Sequence, residues 1–469
     1  MSKTKTDFRY QVSDISKKNR KSKIENQKSK ITLLFFCTVL VLSCLTTISA
    51  QTTGKTITID EAVRLGIDYS QQLKVSNAKL DIAKAKREQY WSAQIPTVTA
   101  SANYTRISDN ITPFSVTFPG FSEPLVLNPQ VINQYYFKLS AQQIVYAGGR
   151  ANNFYKSSEF LEKAAQLDVS KDKLEIKNNI EAAVINLYKL QKSKLVLDEN
   201  LKVMNGRLTD TKNFAANGTA IDNDVMRADL AVTQIQTSQQ EINNLMETAR
   251  FNLCLMLGLP TDTRLELDNN SIISDKNLAG LDTYLKASET RPDIAAQDLR
   301  KQATEKLVDV SKGAYLPLVS VGANLYDNRP NQRVFPPEDA FKSTWDLGVT
   351  VSYNISSLFT NKYQVNEAKA NLAQAEAAKQ QLTDGAKMEI GSSYFAYQTE
   401  LEKIKLYEKT ISQATENQRV MKNRYKSQIS TIVELLDADA LVINAQLNLE
   451  NAKADAELAY RKLLKASGR

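Results

Sequence analysis

Side-chain chemistry needs nucleophiles, bases or ligands within reach of one another, and this 469-residue sequence is poor in all three. It has no His, which removes every mechanism that uses an imidazole as base, proton shuttle or metal ligand. Of its three Cys, Cys37 and Cys44 fall in an N-terminal apolar stretch. Cys254 sits in Phe251-Asn252-Leu253-Cys254-Leu255-Met256-Leu257, an apolar helix end where an inert buried thiol is expected. No Gly-rich phosphate-binding loop is present, so an enzyme is the poorest reading and neither a cofactor nor a metal site is expected. The informative groups are carboxylates. Glu434 and Asp437 are three residues apart and share one helix face. Asp224 follows Gly218 in a comparable setting in the first half of the chain. Acids at a helix start are favoured by the helix dipole, so capping is their simplest use.

Charge narrows the class further. Residues 1–30 carry ten basic side chains against Asp7, Asp14 and Glu25, which is nearly all of the formal net charge of +8. The rest of the chain is close to neutral, and no nucleic-acid partner is expected, because such a binder keeps its basic footprint in the folded part. Residues 31–43 are apolar and are followed by small and polar residues up to Ala50-Gln51, the layout of an export signal over residues 1–50. A single anchor helix, or lipidation at Cys44, are the alternatives. The mean hydropathy of −0.37 excludes a polytopic helical membrane protein.

The elements that must position these groups are mostly helices. Across residues 150–215, Ile180, Ala183, Leu187, Leu190, Leu197, Leu201, Met204 and Leu208 recur in steps of three and four, with Lys194 in the missing slot. That repeat marks helices packed as a coiled coil, and a helix of that length spans about 100 Å. Residues 222–257, 285–315, 361–426 and 432–466 read alike. Four short segments alternate instead. Val98, Ala100, Ala102 and Tyr104 share one face; so do Tyr135, Phe137, Leu139 and Ala141; then Val319, Val321, Ala323 and Leu325; then Trp345, Leu347, Val349, Val351 and Tyr353. Small polar residues fill the opposite faces. This pattern in an exported chain predicts transmembrane strands of a water-filled barrel. The aromatics Tyr104, Tyr135, Trp345 and Tyr353 near the strand ends suit the interfacial girdles in contact with outer-membrane lipid. Pro96 and Pro317 stand where helix gives way to strand. Most other Pro, among them Pro113, Pro119, Pro124, Pro129, Pro330, Pro336 and Pro337, fall in the links inside each strand pair.

The chain also repeats itself. Ile95-Pro96-Thr97-Val98 with Ala102-Asn103 matches Leu316-Pro317-Leu318-Val319 with Ala323-Asn324. Phe214, Ala220, Ile221, Val225 and Leu230 match Tyr425, Thr431, Ile432, Leu436 and Leu441, the spacing shrinking by roughly ten residues because the first loop is longer. Residues 51–260 then form one module, with strands at about 97–106 and 135–145 and a helical hairpin over 150–257. Residues 261–469 form the second, with strands at about 318–326 and 344–353 and a hairpin over 361–466. Four strands cannot close a barrel, and an open edge in lipid strands backbone groups at several kcal/mol each. Two copies give eight strands and a filled interior, whereas three give twelve and a pore.

With these residues in order, the sequence resembles the TolC-like outer-membrane channel family over essentially all of 51–469. The resemblance is carried by the duplicated plan, Ile59-Asp60-Glu61-Ala62-Val63, Val145-Tyr146-Ala147-Gly148-Gly149-Arg150, Arg291-Pro292-Asp293-Ile294, and the stretch from Tyr425 to Ala438. It implies a homotrimer in the outer membrane of a Gram-negative-type bacterium, with a twelve-stranded β-barrel continued by a long periplasmic α-helical barrel. It also implies a passive export duct for drugs, metal ions or proteins, served by a periplasmic adaptor and an inner-membrane pump. Glu434 and Asp437, with Asp224, resemble the acids that line the periplasmic entrance, where threefold rings of carboxylate favour cations. Tyr425 matches an aromatic position of the family's closed state. Gln428 stands where the family often has Gly, and Ser430 where some members carry Arg. Two other readings remain: a general porin, against which the long heptads argue, and a periplasm-spanning coiled-coil scaffold, which leaves the alternating strands unexplained.

Overall fold

The computed structural model describes residues 55–120, 122–128, 130–268 and 278–469. The expected leader over residues 1–50, with Cys37, Cys44 and the proposed cut, lies outside the described residues, as does Pro129. Residues 56–469 form a compact unit, and the account below concerns it.

The first module opens with β1 (Lys55–Ile57), α1 (Ile59–Tyr69) and α2 (Gln71–Ser92). Thr58 and Ser70 begin the two helices, each hydroxyl accepting from the third backbone N–H beyond it (3.2 Å in both). The strands β2 (Thr97–Arg106) and β5 (Asn133–Tyr146) follow, separated by a small hairpin of β3 (Phe114–Val116) and β4 (Leu125–Asn128). That hairpin sits in the segment expected to be a Pro-rich link. Next come α3 (Arg150–Ala216) and α4 (Asp222–Leu257), then β6 (Leu265–Leu267), which pairs with β1. The second module repeats the plan with α5 (Leu281–Ala287), α6 (Pro292–Gly313), β7 (Leu318–Arg329), β8 (Lys342–Ser352), α7 (Ser357–Lys426) and α8 (Ile432–Ala466). The single helix expected over 285–315 is divided at Pro292, which takes the first turn of α6, where its missing N–H costs nothing.

The four long strands make one antiparallel sheet in the order β2-β5-β7-β8. Its register sets Val98 opposite Ala141, Ala100 opposite Leu139, Ala102 opposite Phe137 and Tyr104 opposite Tyr135. Ala141 then meets Ala323 and Leu139 meets Leu325, while Ala323 meets Leu347, Val321 meets Val349 and Leu325 meets Trp345. The four apolar faces read from the sequence therefore form one continuous surface. That surface is the exposed one: Leu139, Leu325, Val349 and Leu347 are all exposed, whereas Ser140 on the polar face is buried and bonds Asn324 at 2.7 Å. Among the described residues, β2 and β8 each have a strand neighbour on one side alone.

Among the helices the main core lies where α1, α3 and α4 meet, around Ile57, Ala62, Ile180, Val184, Leu187, Leu253 and Cys254. Burial there pushes the Cys254 thiol up from its ordinary value. The modules touch closely at Gly148 and Gly313. A Cβ on Gly148, which has φ of +63°, would fall 2.3 Å from the Gly313 carbonyl oxygen. Glycine is needed on both counts. Arg291, which precedes α6, binds Asp293 (2.8 Å), Glu389 of α7 (2.9 Å) and the carbonyl of Ala466 (2.8 Å), tying the start of the second module to its last two helices.

Candidate functional site at the helical tip

The acids singled out in the sequence all lie where the long helices turn. Both turns close in the same way. In the first, the Thr219 N–H reaches the Phe214 carbonyl and the Gly218 N–H the Ala215 carbonyl (2.9 Å each). In the second, the Ile429 N–H reaches the Arg424 carbonyl (2.8 Å) and the Gln428 N–H the Tyr425 carbonyl (2.9 Å). This is the Schellman closure, whose C′ residue must be left-handed. Gly218 fills it at φ +75° and Gln428 at φ +58°. The turns thus match Gly218 with Gln428 and Asp224 with Glu434, one residue out of step with the pairing of Phe214 and Tyr425 read from the sequence. Phe214 and Tyr425 instead pack on each other edge to face, with centroids 5.6 Å apart.

Glu434 has a definite local task. Its carboxylate accepts from the Thr431 N–H (2.8 Å) while the Thr431 hydroxyl accepts from the Glu434 N–H (3.3 Å), a reciprocal capping box. Asp224 does half of this, accepting from the Ile221 N–H at 3.3 Å, because Ile221 has no side-chain acceptor to return the bond. Asp437 has no capping bond. It is exposed and lines a groove of about 580 Å³ between α3, α4 and α8, together with Arg227, Glu241, Leu230, Ile235 and Leu436. The Tyr425 hydroxyl lies 3.2 Å from the Thr211 Oγ1, so it ties α7 to α3. Ser430 reaches back to the Met421 carbonyl at 3.5 Å.

The structure adds residues that the sequence reading passed over. Ser193, Asn200 and Arg207 are seven apart on α3 and form a second, polar seam against α8. Ser193 bonds Asn451 (3.3 Å), Asn200 bonds Gln446 (2.8 Å), and Arg207 grips Asp439 with Nε to Oδ2 at 3.0 Å and a second nitrogen to Oδ1 at 3.2 Å. Gln418 of α7 completes the Asp439 carboxylate at 2.7 Å. Further from the tip, Lys189 pairs with Asp455 (2.8 Å), and Arg461 with Glu181 (2.8 Å) and Glu457 (2.7 Å). Burial opposes the charge on Arg461, but the two carboxylates outweigh it and raise its value. A strict heptad of Ser, Asn and Arg beside the apolar one was the signal available in the sequence.

At the sheet end, Pro96 and Pro317 immediately precede β2 and β7. Tyr104 and Tyr135 face each other with centroids 5.1 Å apart, Trp345 projects from the exposed apolar face, and Tyr353 follows β8 at the opposite end. Among the described residues, no helix is long and apolar enough to cross a membrane, and no group of three or more metal-ligating side chains occurs.

The family model described as outer membrane efflux protein matches residues 67–259 and 283–469. No curated protein matches at a significant level. Among solved structures, the outer membrane protein VceC of Vibrio cholerae is similar with a TM-score of 0.73 and 18% identity, over 87% of this chain and 96% of that one. The Campylobacter jejuni CmeC outer membrane channel matches with a TM-score of 0.69 and 19% identity, over 87% and 85%. The open state of the Neisseria gonorrhoeae MtrE outer membrane channel matches with a TM-score of 0.70 and 16% identity, over 87% and 88%.

Proposed function

We infer that this chain, which belongs to the outer membrane efflux protein family of TolC-like channels, works as a homotrimeric duct fed by an inner-membrane pump through a periplasmic adaptor. The family membership replaces the porin and scaffold readings: the protein is an outer-membrane efflux channel that extends into the periplasm. The observation that supports the trimer is the inverted sheet. Val98, Leu139, Leu325, Trp345, Leu347, Val349 and Val351 are all exposed. At roughly 1.5–3 kcal/mol for each side chain, leaving them in water forgoes on the order of 10 kcal/mol, as much as the whole net stability of an ordinary domain. Lipid covers that face. The unpaired edges of β2 and β8 then need strand partners, because lipid offers none. Three copies supply twelve strands and an open lumen lined by the Ser, Thr, Asn and Gln of the polar face.

The tip is the periplasmic entrance in this reading. Asp437 supplies a ring of charge that local structure does not use. Glu434 and Asp224 hold their helix starts and add charge there, and Tyr425 joins the hairpins of the two modules through Thr211. The duct performs no catalysis, so the energy for export comes from the pump. Cross-linking in native outer membranes tests the assembly: a ladder ending at three copies is expected, and a stable monomer in mild detergent contradicts the strand count. In planar bilayers, Glu434→Ala with Asp437→Ala should weaken cation preference, and unchanged selectivity would leave Glu434 as a helix cap and Asp437 as a solvated side chain.

A further inference from the structure

We propose that Lys138 and the β7–β8 loop residue Arg333 form a cationic collar inside the outer half of the duct, so that anions are favoured there and the two ends of the channel carry opposite charge. The collar rests on the barrel reading above, since it needs the polar face of the sheet to line the lumen.

Within the strands, that polar face carries charge at three positions: Lys138, Lys342 and Asp346. Lys342 is neutralised by Glu338 at 3.0 Å. Asp346 accepts from the Asn324 amide at 2.6 Å and is paired with Arg333. Lys138 forms no ion pair among the described residues. Its ammonium lies 5.5 Å from the centre of the Tyr326 ring, and the Arg333 guanidinium lies 4.5 Å from the same ring. The face of an aromatic ring attracts cations, so Tyr326 gathers two of them without cancelling either charge. Each chain keeps one uncompensated positive charge at this level, and three chains keep three.

Arg333 reaches the lumen because the loop is fastened inward at its start. Asn331 is buried, and its amide donates to the Lys342 carbonyl (2.7 Å) and to the Thr344 hydroxyl (3.2 Å), while its Oδ1 accepts from the Arg333 N–H (3.0 Å). Gln332 reaches the Tyr136 hydroxyl at 3.4 Å. Tyr136, Tyr326, Thr344 and Asp346 all lie on the polar face by register. At its other end the loop lays Phe341 against Tyr135 and Phe137 of the apolar face (centroids 5.8 and 6.1 Å). The loop is thus stapled across the rim, with its cation held over the lumen.

The test is ion selectivity of the purified full-length channel in bilayers of neutral lipid, with a potassium chloride gradient. Lys138→Gln should lower the chloride-to-potassium permeability ratio about twofold, the effect of three like charges screened over about 10 Å at 0.1 M salt. It should also reduce current rectification, and Lys138→Arg should restore both. Arg333→Gln should lower the ratio by a similar amount, because it leaves Asp346 to offset Lys138. A Lys138→Gln or Arg333→Gln channel with wild-type selectivity overturns the collar and leaves the duct intact. A wild-type protein that forms no channels overturns the duct itself.

Discussion

Replacing Arg207 should destabilise the helical hairpins far more than replacing Arg207 together with its partner. Asp439 is 1% exposed and Arg207 is 8% exposed, so water cannot take over from a missing partner. In Arg207→Met the Asp439 carboxylate keeps the Gln418 amide and loses two charged hydrogen bonds. Breaking a buried pair in this way costs about 3–5 kcal/mol, whereas exchanging both charges for apolar groups of similar size is near neutral. A cycle of Arg207→Met, Asp439→Leu and the double variant should therefore show a coupling of at least about 2 kcal/mol. The measurement is urea unfolding of the solubilised protein, followed by helical circular dichroism at fixed detergent and protein concentration. Costs that add to within about 0.5 kcal/mol would mean that the pair is not coupled, and would refute the view that α3 and α8 are joined by a closed polar contact.

Further outcomes follow from the tip and the module junction. Gln428→Gly should raise stability by about 1 kcal/mol in the same urea assay, because Gln428 occupies a left-handed position that Gly218 fills in the other turn. Thr431→Val should cost about 1 kcal/mol by removing a cap, while Glu434→Gln, which keeps a side-chain acceptor, should cost less and still reduce cation preference in bilayers. For Asp293 and Glu389 burial alone would raise the carboxyl values, but Arg291 at both groups and Lys465 at Glu389 outweigh it and hold them below the ordinary range. The unfolded chain then binds more protons in acid, so their contribution is complete above about pH 4–4.5 and is lost as the pH falls through the lowered folded-state values. Arg291→Gln should flatten that part of an acid-unfolding curve; an unchanged curve would assign the acid sensitivity to other groups.

The architecture was legible because its signals are periodic. Alternation at Val98 to Tyr104 and at Trp345 to Val351 needs only a two-residue repeat to be seen, and the sheet register confirms that these faces are continuous. The inverted burial of the sheet could be anticipated for the same reason. The tip was legible in composition but not in detail. Thr431-Ile432-Val433-Glu434 is a capping-box sequence, and of the two acids for which capping is the simplest use, Glu434 makes the capping bonds and Asp437 makes none. The left-handed Gln428 was not readable from its residue type, since glutamine carries no preference for that conformation. The division at Pro292 was likewise a local signal overridden by the longer apolar rhythm around it.

The least legible feature, the polar seam of α3 and α8, lies beside an apolar cluster that the same two helices share with α4. Leu197, Met204, Val232, Ile235 and Ile443 form one apolar cluster where α3, α4 and α8 meet, each side chain contributing roughly 1.5–3 kcal/mol on burial. Between the modules, Ser193, Asn200 and Arg207 meet Asn451, Gln446 and Asp439, and a hydrogen bond between neutral groups contributes about 0.5–1.5 kcal/mol net. The contact between the modules near the tip is therefore apolar and polar at once, with Ile443 in the shared cluster and the hydrogen-bonded seam beside it. The charged pair at Arg207 stands beside the Thr211–Tyr425 bond, and further from the tip Lys189–Asp455 and Glu181–Arg461 add ion pairs between the modules. Polar residues at heptad spacing fix register without adding much to stability, so here they set which residues of α3 and α8 meet while the shared apolar cluster holds the helices together.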